Sequence, residues 1–144
     1  MFNKPRILIV DDEDRIRRIL KLQLEREGYE IVLAESGEQA MNILEKEDEL
    51  DALITDIKMP GVDGYQLLDY AVENRPDMPA IMLTGLVDID TAVKVMKAGA
   101  FDFLVKPIQR EDLLASVDKA LAYGRLIKYN RRLETSREVN PYPW

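Results

Sequence analysis

Cysteine and histidine are both absent from the 144 residues. Without cysteine there is no disulfide, thiolate nucleophile or thiolate metal site, a composition at home in a reducing cytoplasm. Without histidine there is no Ser-His-Asp triad, imidazole base or His-ligated zinc. Chemistry is left to carboxylates, amines and hydroxyls. Long apolar runs are missing too. Met1-Phe2-Asn3-Lys4-Pro5 leads into only a short apolar stretch before charges, neither a signal segment nor the ~20 apolar residues of a membrane span. Secretion and membrane insertion are disfavoured, and a cytoplasmic location is expected.

Positive charge is in deficit, with 20 Lys and Arg against 27 Asp and Glu and a net charge of −7. A domain of that sign repels a phosphate backbone, which disfavours direct nucleic-acid binding. The apolar fraction of 47% lies above that of disordered chains, so the chain should fold. Its length suits one domain plus a tail.

Apolar runs of strand length recur at Arg6–Val10, Glu30–Ala34, Ala52–Thr55, Ala80–Leu83 and Phe101–Val105, each followed by a helix-period segment. The first, third and fourth are nearly continuous in Ile, Leu, Val and Met, as for strands buried on both faces. Five strand-helix alternations predict an α/β fold, a doubly wound parallel sheet with helices on both faces.

The helical segments carry start and stop signals. Ile16, Ile19, Leu20 and Leu24 form a stripe ending at Gly28. Ser36 with Gln39, and Asp63 with Gln66, read as capping boxes, and Pro76 closes the third unit. Ile89, Ala92, Val93 and Met96 form the apolar stripe of the fourth, ended by Gly99. The fifth starts near Gln109 and carries Leu113, Leu114, Val117, Ala120 and Leu121. Whether it passes Gly124 toward Leu126, Tyr129 and Leu133 is open, because a helical glycine costs about 1 kcal/mol. Arg137–Trp144, with Pro141 and Pro143, reads as a linker.

Two strand ends carry three carboxylates. Asp11 and Asp12 follow Arg6–Val10, and Asp56 follows Ala52–Thr55. In an open parallel sheet the carboxyl ends of the strands share one edge, where ligands bind. Asp11 and Asp12 either cap the first helix or hold a hard cation, for which Mg²⁺ with its retained waters is suited. Asp56 is a terminator, a metal ligand or a nucleophile. Beside a cation it could attack a phosphoryl group and become an aspartyl phosphate. Thr84 and Lys106 close two further strands. Singly they read as a capping threonine and a surface lysine, but together they offer a hydroxyl donor and an ammonium to phosphoryl oxygens. One shared site explains four polar strand ends better than four coincidences.

Val10-Asp11-Asp12, Asp56, Met59-Pro60-Gly61, Thr84-Gly85 and Lys106-Pro107 resemble the response-regulator receiver domain of two-component signalling. The resemblance covers about residues 5–123, with order, spacing and strand-end context all matching. It implies a flavodoxin-like (βα)5 fold with strand order 2-1-3-4-5. It implies Asp56 as phosphoacceptor, Asp11, Asp12, Asp56 and the Lys58 carbonyl as Mg²⁺ ligands, and Thr84 and Lys106 as phosphoryl contacts. It implies a histidine kinase or small phosphodonor upstream. The segment Ala98–Pro107 is similar to receivers of NtrC-like and FixJ-like transcriptional regulators, whose output domains are absent from this chain. The chain divides into a receiver at 1–123 and a C-terminal extension at 124–144.

Family behaviour suggests a switch in which Thr84 moves inward and the aromatic at Phe103 follows, although Phe103 also reads as a plain strand aromatic. A homodimer through the fourth helix, fifth strand and fifth helix is possible, with Lys94, Lys97, Asp102, Asp112 and Asp118 available to pair across it. Lys58 and Leu86 lie two residues beyond Asp56 and Thr84, positions that by the resemblance would flank the route of attacking water, so slow self-hydrolysis is one expectation and no kinetic effect the other. Three competing readings carry less. A phosphohydrolase of the aspartyl-phosphate type wants a second acid where Lys58 stands, a mononucleotide binder wants a Gly/Ser/Thr cradle where Asp11–Asp14 stand, and a phosphate-blind interaction module would not need all five site residues.

Overall fold

The computed structural model describes residues 4–85 and 88–139, with side chains described as far as residue 133. Leu86, Pro141, Pro143 and Trp144 lie outside the described residues. Strands β1 (Arg6–Val10), β2 (Glu30–Ala34), β3 (Ala52–Asp56), β4 (Ala80–Thr84) and β5 (Asp102–Val105) alternate with α1 (Asp14–Glu25), α2 (Gly37–Lys46), α3 (Gly64–Asn74), α4 (Ile89–Lys97) and α5 (Arg110–Val139). The sheet is parallel, in the order β2-β1-β3-β4-β5, as expected.

Strand side chains alternate between two cores. Ile7, Ile9, Ile54, Ile81 and Leu83 face α1 and α5, meeting Leu20, Leu24, Leu113, Val117 and Leu121. Leu8, Val10, Leu53 and Met82 face the other way, onto Ala40, Leu44, Leu67, Leu68 and Val95 of α2, α3 and α4. Burial of each such Ile, Leu or Val contributes about 1.5–3 kcal/mol before chain entropy is subtracted.

The helix signals resolve individually. Gly28, at φ +91°, ends α1, and the Tyr29 N–H donates to the Leu24 carbonyl at 3.2 Å in a Schellman closure. Asp63 and Gln66 form the full capping box. Ser36 caps α2 by accepting from the Gln39 N–H, but the Gln39 side chain accepts from Glu35 N–H instead of completing a box.

Two expectations need correction. The Ile89, Val93 and Met96 stripe does not face the core: these residues are 82%, 44% and 43% exposed, and α4 is held by Val95. The short α4 contacts the sheet at its edge, so one valine and small residues suffice. The second concerns the linker reading at Arg137: α5 continues past it to Val139, and the question left open at Gly124 is settled by a helix that runs unbroken through it. A Cβ at Gly124 would lie 3.2 Å from both the Asp77 carbonyl oxygen and Pro79 Cδ, so glycine lets the helix pass close to the chain entering β4. Beyond it, Lys128 pairs with Asp51 at 3.5 Å and Arg131 with Asp77 at 3.0 Å.

Candidate functional site

Register brings the polar strand ends together. Val10 pairs with Thr55, so Asp11 and Asp56 leave the sheet side by side. Asp56 pairs with Leu83 and Thr84 with Val105, which carries Thr84 and Lys106 to the same edge. Parallel pairing with a common polarity therefore converts four distant sequence positions into one cluster.

Asp11, Asp12 and Asp56 each offer one carboxylate oxygen, and these lie within 4.8 Å of one another. Lys106 Nζ stands 3.0 Å from Asp56 Oδ2 and 3.1 Å from Asp11 Oδ2. Asp11 is fully buried and Asp12 exposed. Backbone amides complete the anchoring, with Glu13 N–H donating to Asp11 Oδ1 at 2.9 Å and Lys58 N–H to Asp56 Oδ1 at 3.3 Å. Thr84, nearly buried as the last residue of β4, accepts at its carbonyl from Lys106 N–H at 2.7 Å.

Burial pushes the Asp56 carboxyl above its ordinary value, the Lys106 hydrogen bond pulls it back only in part, and Asp11 adds to the rise. Burial works to lower the Lys106 ammonium, but its bonds to Asp56 and Asp11 overcome this and hold it above its ordinary value. The lysine is thus a fixed cation between two acids that repel each other.

The donor set suits a hard divalent cation. All the candidate side-chain ligands are carboxylate oxygens. Asp11 Oδ2 is buried and faces the Lys106 ammonium at 3.1 Å, so a cation entering here would compete with that ammonium for the oxygen.

A cleft of about 470 Å³ is lined by Ile57, Lys58, Met59, Tyr65, Thr84 and Thr91 among others. Phe103 is half-buried on β5 and packs against the α2–α4 core.

A family model described as the response regulator receiver domain matches residues 7–118. The chain belongs to that family. Among curated relatives, the receiver is 36% identical over 127 residues to the C4-dicarboxylate transport transcriptional regulatory protein DctD of Pseudomonas aeruginosa, covering 88% of this chain and 27% of the relative. It is 37% identical over 137 residues to a probable transcriptional regulator, ycf27, of Guillardia theta, covering 95% of this chain and 53% of the relative. The chain thus spans about a quarter to a half of the length of these relatives. A crystal structure of a response regulator receiver domain protein from Clostridium thermocellum superposes with a TM-score of 0.80 at 35% identity, covering 85% of this receiver and 98% of that chain. Among the described residues no helix is long and apolar enough to cross a membrane.

The structure adds residues that pattern reading passed over. Arg17 donates to the Asp11 carbonyl at 2.6 Å and to Asp14 Oδ1 at 3.2 Å, tying the start of α1 to the acid-bearing turn. Its i+3 spacing from Asp14 was a usable signal, whereas its reach to Asp11 was not. Gly64 stands against the Asp56 carbonyl, where a Cβ would collide. Asp102 and Asp118, offered above as pairing charges, are engaged within the chain: Asp102 accepts from Ser116 at 2.8 Å and Asp118 from Tyr29 at 3.1 Å. Lys94 lies over the Tyr65 ring, 4.2 Å from its centroid.

Proposed function

We propose that this receiver is a phosphorylation-dependent signalling switch that accepts a phosphoryl group on Asp56 from a histidine kinase or a small phosphodonor. The observation that carries this is the convergence of three acids and one lysine at the carboxyl edge of the sheet. Asp11, Asp12, Asp56 and the Lys58 carbonyl would hold Mg²⁺, which when bound offsets charge on the phosphoryl oxygens. An Asp56 carboxylate oxygen forms the new bond to phosphorus while the bond to the donor's leaving nitrogen or oxygen breaks in line. Lys106 then turns from the carboxylate to a phosphoryl oxygen, and the Thr84 hydroxyl donates to another.

The reading extends to the whole protein. Transcriptional regulators among the relatives support an output in transcription control, exerted by a domain or partner beyond this chain, and a cytoplasmic setting. Residues 1–123 act as the receiver and 124–144 as an extension, the boundary falling within α5. Thr84 and Phe103 carry the switch, and Lys58 beside Asp56 slows self-hydrolysis. The exposed Ile89, Val93 and Met96 of α4 support a phosphorylation-linked homodimer through α4, β5 and α5. The test is addition of beryllofluoride with Mg²⁺ to wild type and Asp56→Ala. Wild type alone should show perturbed amide signals at Thr84 and Lys106; identical spectra in both would refute the reading.

A further inference from the structure

We infer that Glu38, on α2, is a positioning residue for the metal site, acting through the loop 57–63 that follows Asp56. The inference rests on reading the Lys58 carbonyl as a metal ligand.

That loop is anchored at three places. At its start, Ile57 N–H donates to the Leu83 carbonyl at 3.0 Å. At its end, Gly64 N–H donates back to the Ile57 carbonyl at 2.9 Å. Between them the chain must turn outward, and there Val62 N–H donates to Glu38 Oε1 at 2.6 Å, from a residue 24 positions earlier in sequence. The bond also holds the Glu38 carboxyl below its ordinary value.

The surroundings are shaped for this bond. Gly61 has φ +73°, and a Cβ there would collide with Glu38 Oε1. A Cβ at Gly37 would collide with the Val62 carbonyl oxygen. Two glycines, on opposite sides, thus clear the approach of α2 to the loop. Met59 is buried within the same loop, so the chain that follows Lys58 is held at Met59 and again at Val62 by Glu38. Outer groups that orient metal ligands govern affinity nearly as strongly as the ligands themselves. The simpler role for Glu38, an acid favoured by the α2 dipole, needs neither glycine.

Two variants separate reach from charge. Glu38→Asp keeps the charge in the first turn of α2 but shortens the side chain; Glu38→Gln keeps the length and an accepting oxygen but loses the charge. Mg²⁺ is titrated into the full, phosphate-free chain by calorimetry, and exchange of the Val62 amide proton is followed by NMR. Glu38→Asp should weaken Mg²⁺ about tenfold and speed Val62 exchange, while Glu38→Gln should stay within about twofold of wild type. Loss in Glu38→Gln with Glu38→Asp unchanged, or no loss in either, overturns the inference. Failure of wild type to bind Mg²⁺ would instead defeat the reading of the site on which it rests.

Discussion

The ammonium of Lys106 stands 3.0 Å from Asp56 Oδ2, a residue 50 positions earlier, and 3.1 Å from Asp11 Oδ2. This bridge holds two buried acids together without a metal. Its strength sets the resting state against which a cation must compete.

Replacing Lys106 by Met removes the bridge and leaves neighbouring buried carboxylates uncompensated. In EDTA the variant should lose about 2 kcal/mol, below the loss for a fully buried pair because the lysine side chain is 20% exposed. Saturating Mg²⁺ should narrow the deficit, since the ion replaces the lost charge. Denaturant melts with and without Mg²⁺ check this, and an equal deficit in both would contradict it.

Asp56→Asn should stabilise the metal-free protein by about 1 kcal/mol at neutral pH, a trade of stability for function. The Asp56 pKa is raised on folding by burial. Its contribution is therefore most favourable when protonated, below the unfolded value, and is lost as pH rises through the folded value. The gap between variant and wild type should close as pH falls through that raised value. Urea melts in EDTA across pH read it directly, and a gap that widens toward acid would contradict the assignment.

Gly64 and Gly28 should respond differently to alanine. At Gly64 a Cβ meets the Asp56 carbonyl and lies 2.7 Å from Ile57 Cα, so Gly64→Ala should cost about 3 kcal/mol, at the severe end for single changes, and weaken Mg²⁺ binding. Gly28 has open space around it and only its positive φ to pay for, so Gly28→Ala should cost about 1 kcal/mol. Thermal melts and a Mg²⁺ titration distinguish the two.

On α4, exposure predicts opposite outcomes for neighbours two residues apart. Val95→Ala should cost about 2 kcal/mol through loss of packing, whereas Val93→Glu should stay within about 0.5 kcal/mol. If the α4 face pairs two copies, Val93→Glu should also abolish any beryllofluoride-induced dimer seen by sedimentation.

The strands and the site were legible in the sequence for the same reason. Buried parallel strands are largely apolar along their length, so a polar or charged residue at the carboxyl end stands out, and sheet polarity then collects those ends. Helix faces were less legible. Ile89, Ala92, Val93 and Met96 satisfy a helical period, but so does the set around Val95; periodicity alone does not say which face meets the sheet when the contact is this small. Gly124 read as a possible break because its cost is local, while the close approach to Asp77 and Pro79 that explains it is tertiary. Arg17 and Glu38 were passed over because each acts on a backbone group of another segment, which leaves no periodic trace.

The most direct measurement is the position of the phosphoryl group itself. The protein is treated with acetyl phosphate and Mg²⁺, the acyl phosphate is reduced with borohydride, and the modified residue is located by peptide mass. The account predicts a single modification at Asp56, dependent on Mg²⁺. Modification at Asp11, Asp12 or a hydroxyl residue, or none on a folded Mg²⁺-bound chain, would contradict it.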